Sequence, residues 1–219
     1  MTPQNLASSA DLSSQDNQAN KVRGNSAIRM EDITHFLLQL DALKHVERRN
    51  YISGGNRLEN SAEHSWHLAM ACWSIAELFH LPVNHERLLK MALVHDLGEI
   101  DAGDTYLYDS GRQQAHHAER DGILRLQNEP GNGIANLIEI WEEQETGTSA
   151  ETQLIKAVDR LLPFLLNLKT EGGLWQKHRV RRSQVVAAQI FIADAFPEIY
   201  EWIADRITYA TQQGWLIDA

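Results

Sequence analysis

The 219 residues carry 20 Lys and Arg against 30 Asp and Glu, a net charge of −10 with ten histidines counted neutral. That balance excludes a broad basic face for a nucleic-acid polymer, but not a local cationic pocket for a small phosphate. With 43% hydrophobic and 23% charged residues the composition is that of one globular domain with appendages, and the single cysteine, Cys72, excludes an internal disulfide and a Cys-based zinc site.

Residues 1–27, rich in Ser, Asn, Gln, Asp and Ala, read as a flexible tail before a folded domain over 28–219. Met1-Thr-Pro-Gln-Asn is not a basic region followed by an apolar run, so a cytoplasmic setting is expected. No run approaches ~18 apolar residues, so no membrane span is expected. Ile33, Phe36, Leu37, Leu40 and Leu43 recur at helical spacing and predict an amphipathic helix over 31–46. Glu47-Arg-Arg-Asn50 and Gly54-Gly55-Asn56-Arg57 read as loop. A second helix over 61–80 is nearly apolar all round after Trp66, the pattern of a buried helix. Asn84 caps a third helix through Leu97, with Gly98 at the place of a C-terminal glycine. A loop from Ile100 to Ser110 leads to polar helices over 112–128 and 133–145. Thr148-Ser-Ala-Glu151 reads as a capping box for a helix over 149–170, which Pro163 should kink or locally relax. After Gly172-Gly173 a last helical region runs from Ser183 to Gln213, broken at Pro197. Sustained two-residue alternation is missing, so the predicted fold is an all-α bundle of six to eight helices. The motif-bearing core spans about 31–170, and helices of 183–213 pack on it or offer a homodimer contact.

Three helices interrupt apolar runs with groups that bind metals. His95-Asp96 closes the third helix, where the alternative is a dipole-facing His beside a capping Asp. Asp159 shares a helix face with Ile155, Leu162 and Leu166, where the alternative is an ion pair with Arg160. His64 stands in the first turn of the second helix with His67 one turn on, where the alternative is a hydrogen-bonded core histidine. Two imidazoles and two carboxylates from separate helices form a set that suits one divalent ion among Co, Mn, Mg, Fe, Ni and Zn. His116-His117 reads as a solvated helix face rather than a second metal site, and Lys177–Arg182 as a surface loop between helices.

The strings Glu59-Asn-Ser-Ala-Glu-His64-Ser, Leu93-Val-His-Asp96 with Glu99 and Gly103-Asp104, and Ile155-Lys-Ala-Val-Asp159 resemble the HD-domain metal-dependent phosphohydrolases. Within them, they are similar to the 5′-deoxynucleotidase branch. The resemblance implies an HD-domain helical bundle with His64, His95, Asp96 and Asp159 as ligands of one divalent ion. It implies Glu99 as the acid/base or water-orienting residue and Asp104 as a second functional carboxylate near the substrate. Arg49 falls in the register of the family's phosphate-binding arginine, with Arg57 as a competing phosphate ligand and Asn50 where the branch carries an aromatic residue. The implied substrate is a (deoxy)nucleoside 5′-monophosphate. The rival readings are a phosphodiesterase or polyphosphate hydrolase of the same superfamily and a non-catalytic nucleotide sensor.

Overall fold

The computed structural model describes residues 29–108 and 112–218; the tail expected over 1–27 lies outside them. Helix α1, described over 29–41, ends in a 3₁₀ turn Ala42–His45. The next stretch is an antiparallel hairpin rather than loop: β1 (Glu47–Tyr51) pairs with β2 (Leu58–Asn60), Glu47 opposite Asn60 and Tyr51 opposite Leu58. Five residues facing three make β1 irregular, which hid the strand from a search for plain alternation.

Helix α2 (Ser61–Leu78) starts sharply because Asn60 and Glu63 form a reciprocal capping box. It is followed by α3 (His85–Val94), capped by the Asn84 side chain, and the single turn α4 (Glu99–Ala102). Helices α5 (Arg112–Gln127) and α6 (Leu137–Thr146) lead to α7 (Ala150–Lys169). Here the cap lies one residue later than expected: Ser149 accepts from Thr152 N, while Glu151 reaches the backbone of Asn84 at 2.6 Å and ties the starts of α3 and α7 together. Pro163 sits inside α7, where its missing N–H deprives the carbonyl of Asp159 of its helical partner. The short α8 (Gly173–Lys177), α9 (Arg182–Gln189) and α10 (Ile192–Ala195) precede α11 (Pro197–Gln212), whose first residue is the expected break. The fold is helical, with the hairpin as its one small sheet among the described residues.

Two apolar cores meet along α3. Leu88, Met91 and Ala92 join Leu68, Cys72, Ala76, Ile155, Val158 and the C-terminal helices in one. Val94 and Leu97, at and beyond the end of α3, join Phe36, Ile123, Leu126 and Trp141 in the other. His95 and Asp96 therefore lie at the seam, where Trp141 Nε1 donates to the carbonyl of His95 at 3.0 Å.

Helix α2 is not buried all round. Small residues Ser61, Ser65, Ala69, Cys72 and Ala76 let one side pack closely, while Trp66, Met70 and Trp73, at i, i+4 and i+7, are exposed. Gly98 also differs from expectation. It is αR rather than left-handed, and its requirement is space. A Cβ there would stand 2.6 Å from the carbonyl oxygen of Glu119, and one on Gly122 would stand 3.0 Å from the Gly98 oxygen. Gly98→Ala is therefore expected to destabilise the protein by about 1–3 kcal/mol in urea unfolding; an unchanged midpoint would mean that α4 and α5 separate without cost.

Candidate active site

Strand alternation decides which arginine enters the site. Arg48 points inward and is 8% exposed, while Arg49 points outward. Arg48 Nη1 donates to Asp96 Oδ2 at 2.6 Å. The same side chain lies 3.8 Å from Glu59, 3.9 Å from Glu99, 3.8 Å from Asp104 and 4.0 Å from Asp159.

Two histidines face this cluster. His95 Nδ1 lies 2.8 Å from the carbonyl of Ala92, to which it donates, and this turns Nε2 toward the cluster. Nε2 is buried, 3.1 Å from Asp96 Oδ2, and makes no hydrogen bond among the described residues. His64 is fully buried, with Nε2 3.0 Å from Asp159 Oδ1 and Nδ1 3.6 Å from Glu59 Oε2. One ligand atom each from His64, His95 and Asp96 falls within 4.8 Å of the others. Asp159 meets this trio through His64, and its other oxygen is taken by Arg160 Nη1 at 2.6 Å, so the ion pair weighed as the alternative for Asp159 exists alongside the cluster. An orphaned imidazole nitrogen among buried carboxylates is a donor set that fits a divalent cation.

Glu99 is buried at the start of α4 and accepts from Ser61 Oγ at 2.6 Å. Burial first, and then the charge of Asp96, push its carboxyl from the ordinary 4.5 up to about 9, against the pull of Arg48. Burial would raise Asp96 as well, but His95 and Arg48 hold it down to about 2. Asp104 is raised by burial, with Arg48 opposing. The two neighbours Asp96 and Glu99 are thus pushed apart, one ionised and one holding its proton.

Arg48, His95, Asp96, Glu99, Asp104 and Asp159 of this cluster line a cavity of about 520 Å³. Arg49, Lys156 and Arg160 bring cations to its lining, and Tyr106, Tyr108, Phe164, Trp175 and Phe191 bring aromatic surface. The HD domain family model matches residues 40–200, nearly three quarters of the chain. The chain belongs to the HD domain family. A solved structure from Magnetospirillum magnetotacticum, described as a predicted metal-dependent phosphohydrolase, superposes with a TM-score of 0.79 at 32% identity, covering 87% of this chain and 96% of that one. The 5′-deoxynucleotidase HDDC2 of Danio rerio is 30% identical over 135 residues, and the 5′-deoxynucleotidase of Erwinia tasmaniensis 31% identical over 145. The match spans 60% of this chain in both, and 66% and 71% of those relatives. For the human HDDC2 it spans 63% of the relative, so the chain aligns with just under two thirds of the Danio rerio and human proteins.

In this HD domain the residues expected at the site divide clearly. His64, His95, Asp96, Asp159, Glu99 and Asp104 converge. Arg49 lines the cavity, its guanidinium 5.6 Å from the Tyr106 ring centre, and its backbone N–H reaches Asp104. Arg57 does not come to the cavity. It is exposed and forms a two-pronged ion pair with Glu63, at 2.8 and 2.7 Å, that braces the start of α2. Arg48, which stands beside Arg49 in a stretch expected to be loop, is singled out only by the strand, because a loop has no defined inside. The sequence reading passed over Glu59, behind His64, and over Lys156, three residues before Asp159 on the same helix face. His116 lines the cavity against Trp141 and lies 3.4 Å from Glu145. Glu142 and Glu143 are ion-paired to Arg120 and Arg87.

Two outcomes follow from this electrostatics. Between pH 4.5 and about 9 folded Glu99 holds a proton that the unfolded chain has lost, so its contribution to stability without metal falls as pH rises through that window. A divalent cation favours the ionised form, so Mn²⁺ binding at neutral pH should expel the proton. Titration calorimetry in buffers of different ionisation enthalpy should count one proton fewer for Glu99→Gln, and an equal count in both proteins would contradict the assignment. Arg48→Met should cost the metal-free protein about 3–5 kcal/mol, because five carboxylates lose their shared guanidinium. Mn²⁺ should then raise the melting temperature of the variant by more than that of the wild type; equal shifts would show that Arg48 does not balance the cluster.

Proposed function

We propose that this HD domain is a divalent-metal-dependent 5′-nucleotidase that releases phosphate from nucleoside 5′-monophosphates, deoxy forms foremost. The observation that carries this reading is one cavity lined both by His95 and Asp96, which cluster with the buried His64, and by aromatic side chains. The cluster suits a phosphoryl group and the aromatic part suits a nucleoside. Relatives named 5′-deoxynucleotidase support the same assignment.

A divalent cation held by His64, His95 and Asp96, with Asp159 alongside, would supply Lewis-acid polarisation of the phosphoryl group and acidify water. The residues of the chain do the rest. Arg48 and Arg49 offset phosphate charge from the two faces of β1, one inside the cluster and one at the cavity wall. Lys156 adds a cation from α7. Glu99, relieved of its proton when the site is charged, takes the proton of the attacking water. The new bond forms between that water oxygen and phosphorus, and the bond from phosphorus to the 5′ oxygen breaks. Asp104, whose carboxyl burial raises against the pull of Arg48, stands at the cavity as the proton donor to the departing 5′ oxygen. Glu59 sets the ring of His64 from behind.

The decisive assay is phosphate release from deoxynucleoside and ribonucleoside 5′-monophosphates with Co²⁺, Mn²⁺ or Mg²⁺. Release from the deoxy panel is expected, abolished by EDTA and reduced at least ~10³-fold by Asp96→Asn. Glu99→Gln should lower kcat by ~10²–10⁴-fold with KM little changed. Silence across the panel in protein that holds metal would overturn the reading in favour of a cyclic or polyphosphate substrate.

A further inference from the structure

The cavity contains a second unfilled demand, on an element that supplies none of the charged cluster. Gln189, the last residue of α9, lines the cavity and is 1% exposed. Its Nε2 donates to the carbonyl of Arg160 at 3.1 Å. That bond fixes the amide, because a flip would set oxygen against oxygen. Oε1 is left buried and finds no hydrogen-bond partner among the described residues. A buried carbonyl oxygen without a donor is rare in folded proteins, and on a residue that lines a cavity it calls for a donor from the ligand.

The surroundings narrow that donor. Phe164, one turn on from Arg160, and Phe191, two residues beyond Gln189, both line the same cavity, and Trp175 lies 5.4 Å from Phe164 between ring centres. An acceptor oxygen repels phosphate oxygens, so this is not the phosphate end. Flat aromatic surface beside a fixed acceptor matches a planar heterocycle that presents an N–H on its edge. We propose that Gln189 is a specificity-determining residue whose Oε1 accepts from an N–H of the nucleobase. The assignment rests on the 5′-nucleotidase reading above and adds to it the part of the nucleotide that the C-terminal helices recognise.

The test compares substrates that differ only in that N–H. One pair is dAMP against the 2′-deoxynucleotide of unsubstituted purine, which has no N–H on its base. The other is dCMP against the pyrimidin-2-one analogue, which also has none. In the wild type kcat/KM should favour the N–H-bearing member by about tenfold in the ring size the enzyme accepts, mostly through KM. In Gln189→Met, which keeps the volume, the ratio should fall close to one. A wild-type ratio near one overturns the proposal, as does a ratio that survives the substitution. The wild-type ratio needs no variant, so a Gln189→Met protein that fails to fold leaves the comparison standing. Deoxyribose 5-phosphate, which carries no base, separates the two levels. If it and both nucleotide pairs release no phosphate from metal-loaded protein, the nucleotidase reading itself has failed. If all are hydrolysed at equal kcat/KM, the reaction stands and the role of Gln189 falls.

Discussion

Five carboxylates within 4.0 Å of one buried guanidinium set the terms for the rest of the structure. Removing a charge from water costs several kcal/mol, and one arginine cannot offset five acids in a low-dielectric seam. The chain meets the imbalance in three ways. It pairs Asp159 with Arg160, it leaves Glu99 protonated, and it faces the remainder with the imidazoles of His64 and His95. What is left over is the charge and coordination appetite of a divalent cation. A site like this weakens the fold without its ion, and functional centres commonly carry strain of that kind.

The fold follows from that demand. Residues 48, 64, 95, 96, 99, 104 and 159 converge only if a strand, three helices and a single turn meet along one line, and the seam between the two cores is that line. Asn60, Asn84 and Ser149 fix where α2, α3 and α7 begin, and so fix the heights at which His64, His95-Asp96 and Asp159 stand. Glu151 ties two of those starts together. Capping here serves registration between elements as much as the stability of any one helix.

Much of this was legible in the sequence, for identifiable reasons. His64, His95-Asp96 and Asp159 were visible because each breaks an apolar helical pattern, and buried charge has few uses. Helix positions were legible because the 3.6-residue period persists over many residues. The choice between Arg48 and Arg49 was not, since it turns on whether 47–51 is loop or strand. In a loop neither side chain has a defined inside. In a strand successive residues face opposite ways, and only Arg48 enters the carboxylate cluster, while Arg49 stays at the cavity wall. Arg57 misled for a related reason: a cation near a phosphate motif looks like a ligand until Glu63 is seen to occupy it. The exposed face of α2 was misjudged because apolar composition alone does not say which side meets a neighbour. Gln189 gave no sequence signal at all, as an amide in a short helix becomes informative only when its partners are counted.

The glycine joint between α4 and α5 has a mechanical side. At Gly98 and Gly122 two backbones lie against each other with no side chain between them to yield. Interiors packed in this way transmit displacement rather than absorb it. His116 and Glu119, on α5, line the cavity, and Glu119 itself abuts Gly98. Glu99 is the next residue along. A shift imposed on α5 from the cavity wall is therefore passed through Gly98 to Glu99, so the cavity wall and the carboxylate cluster behave as two arms of one lever.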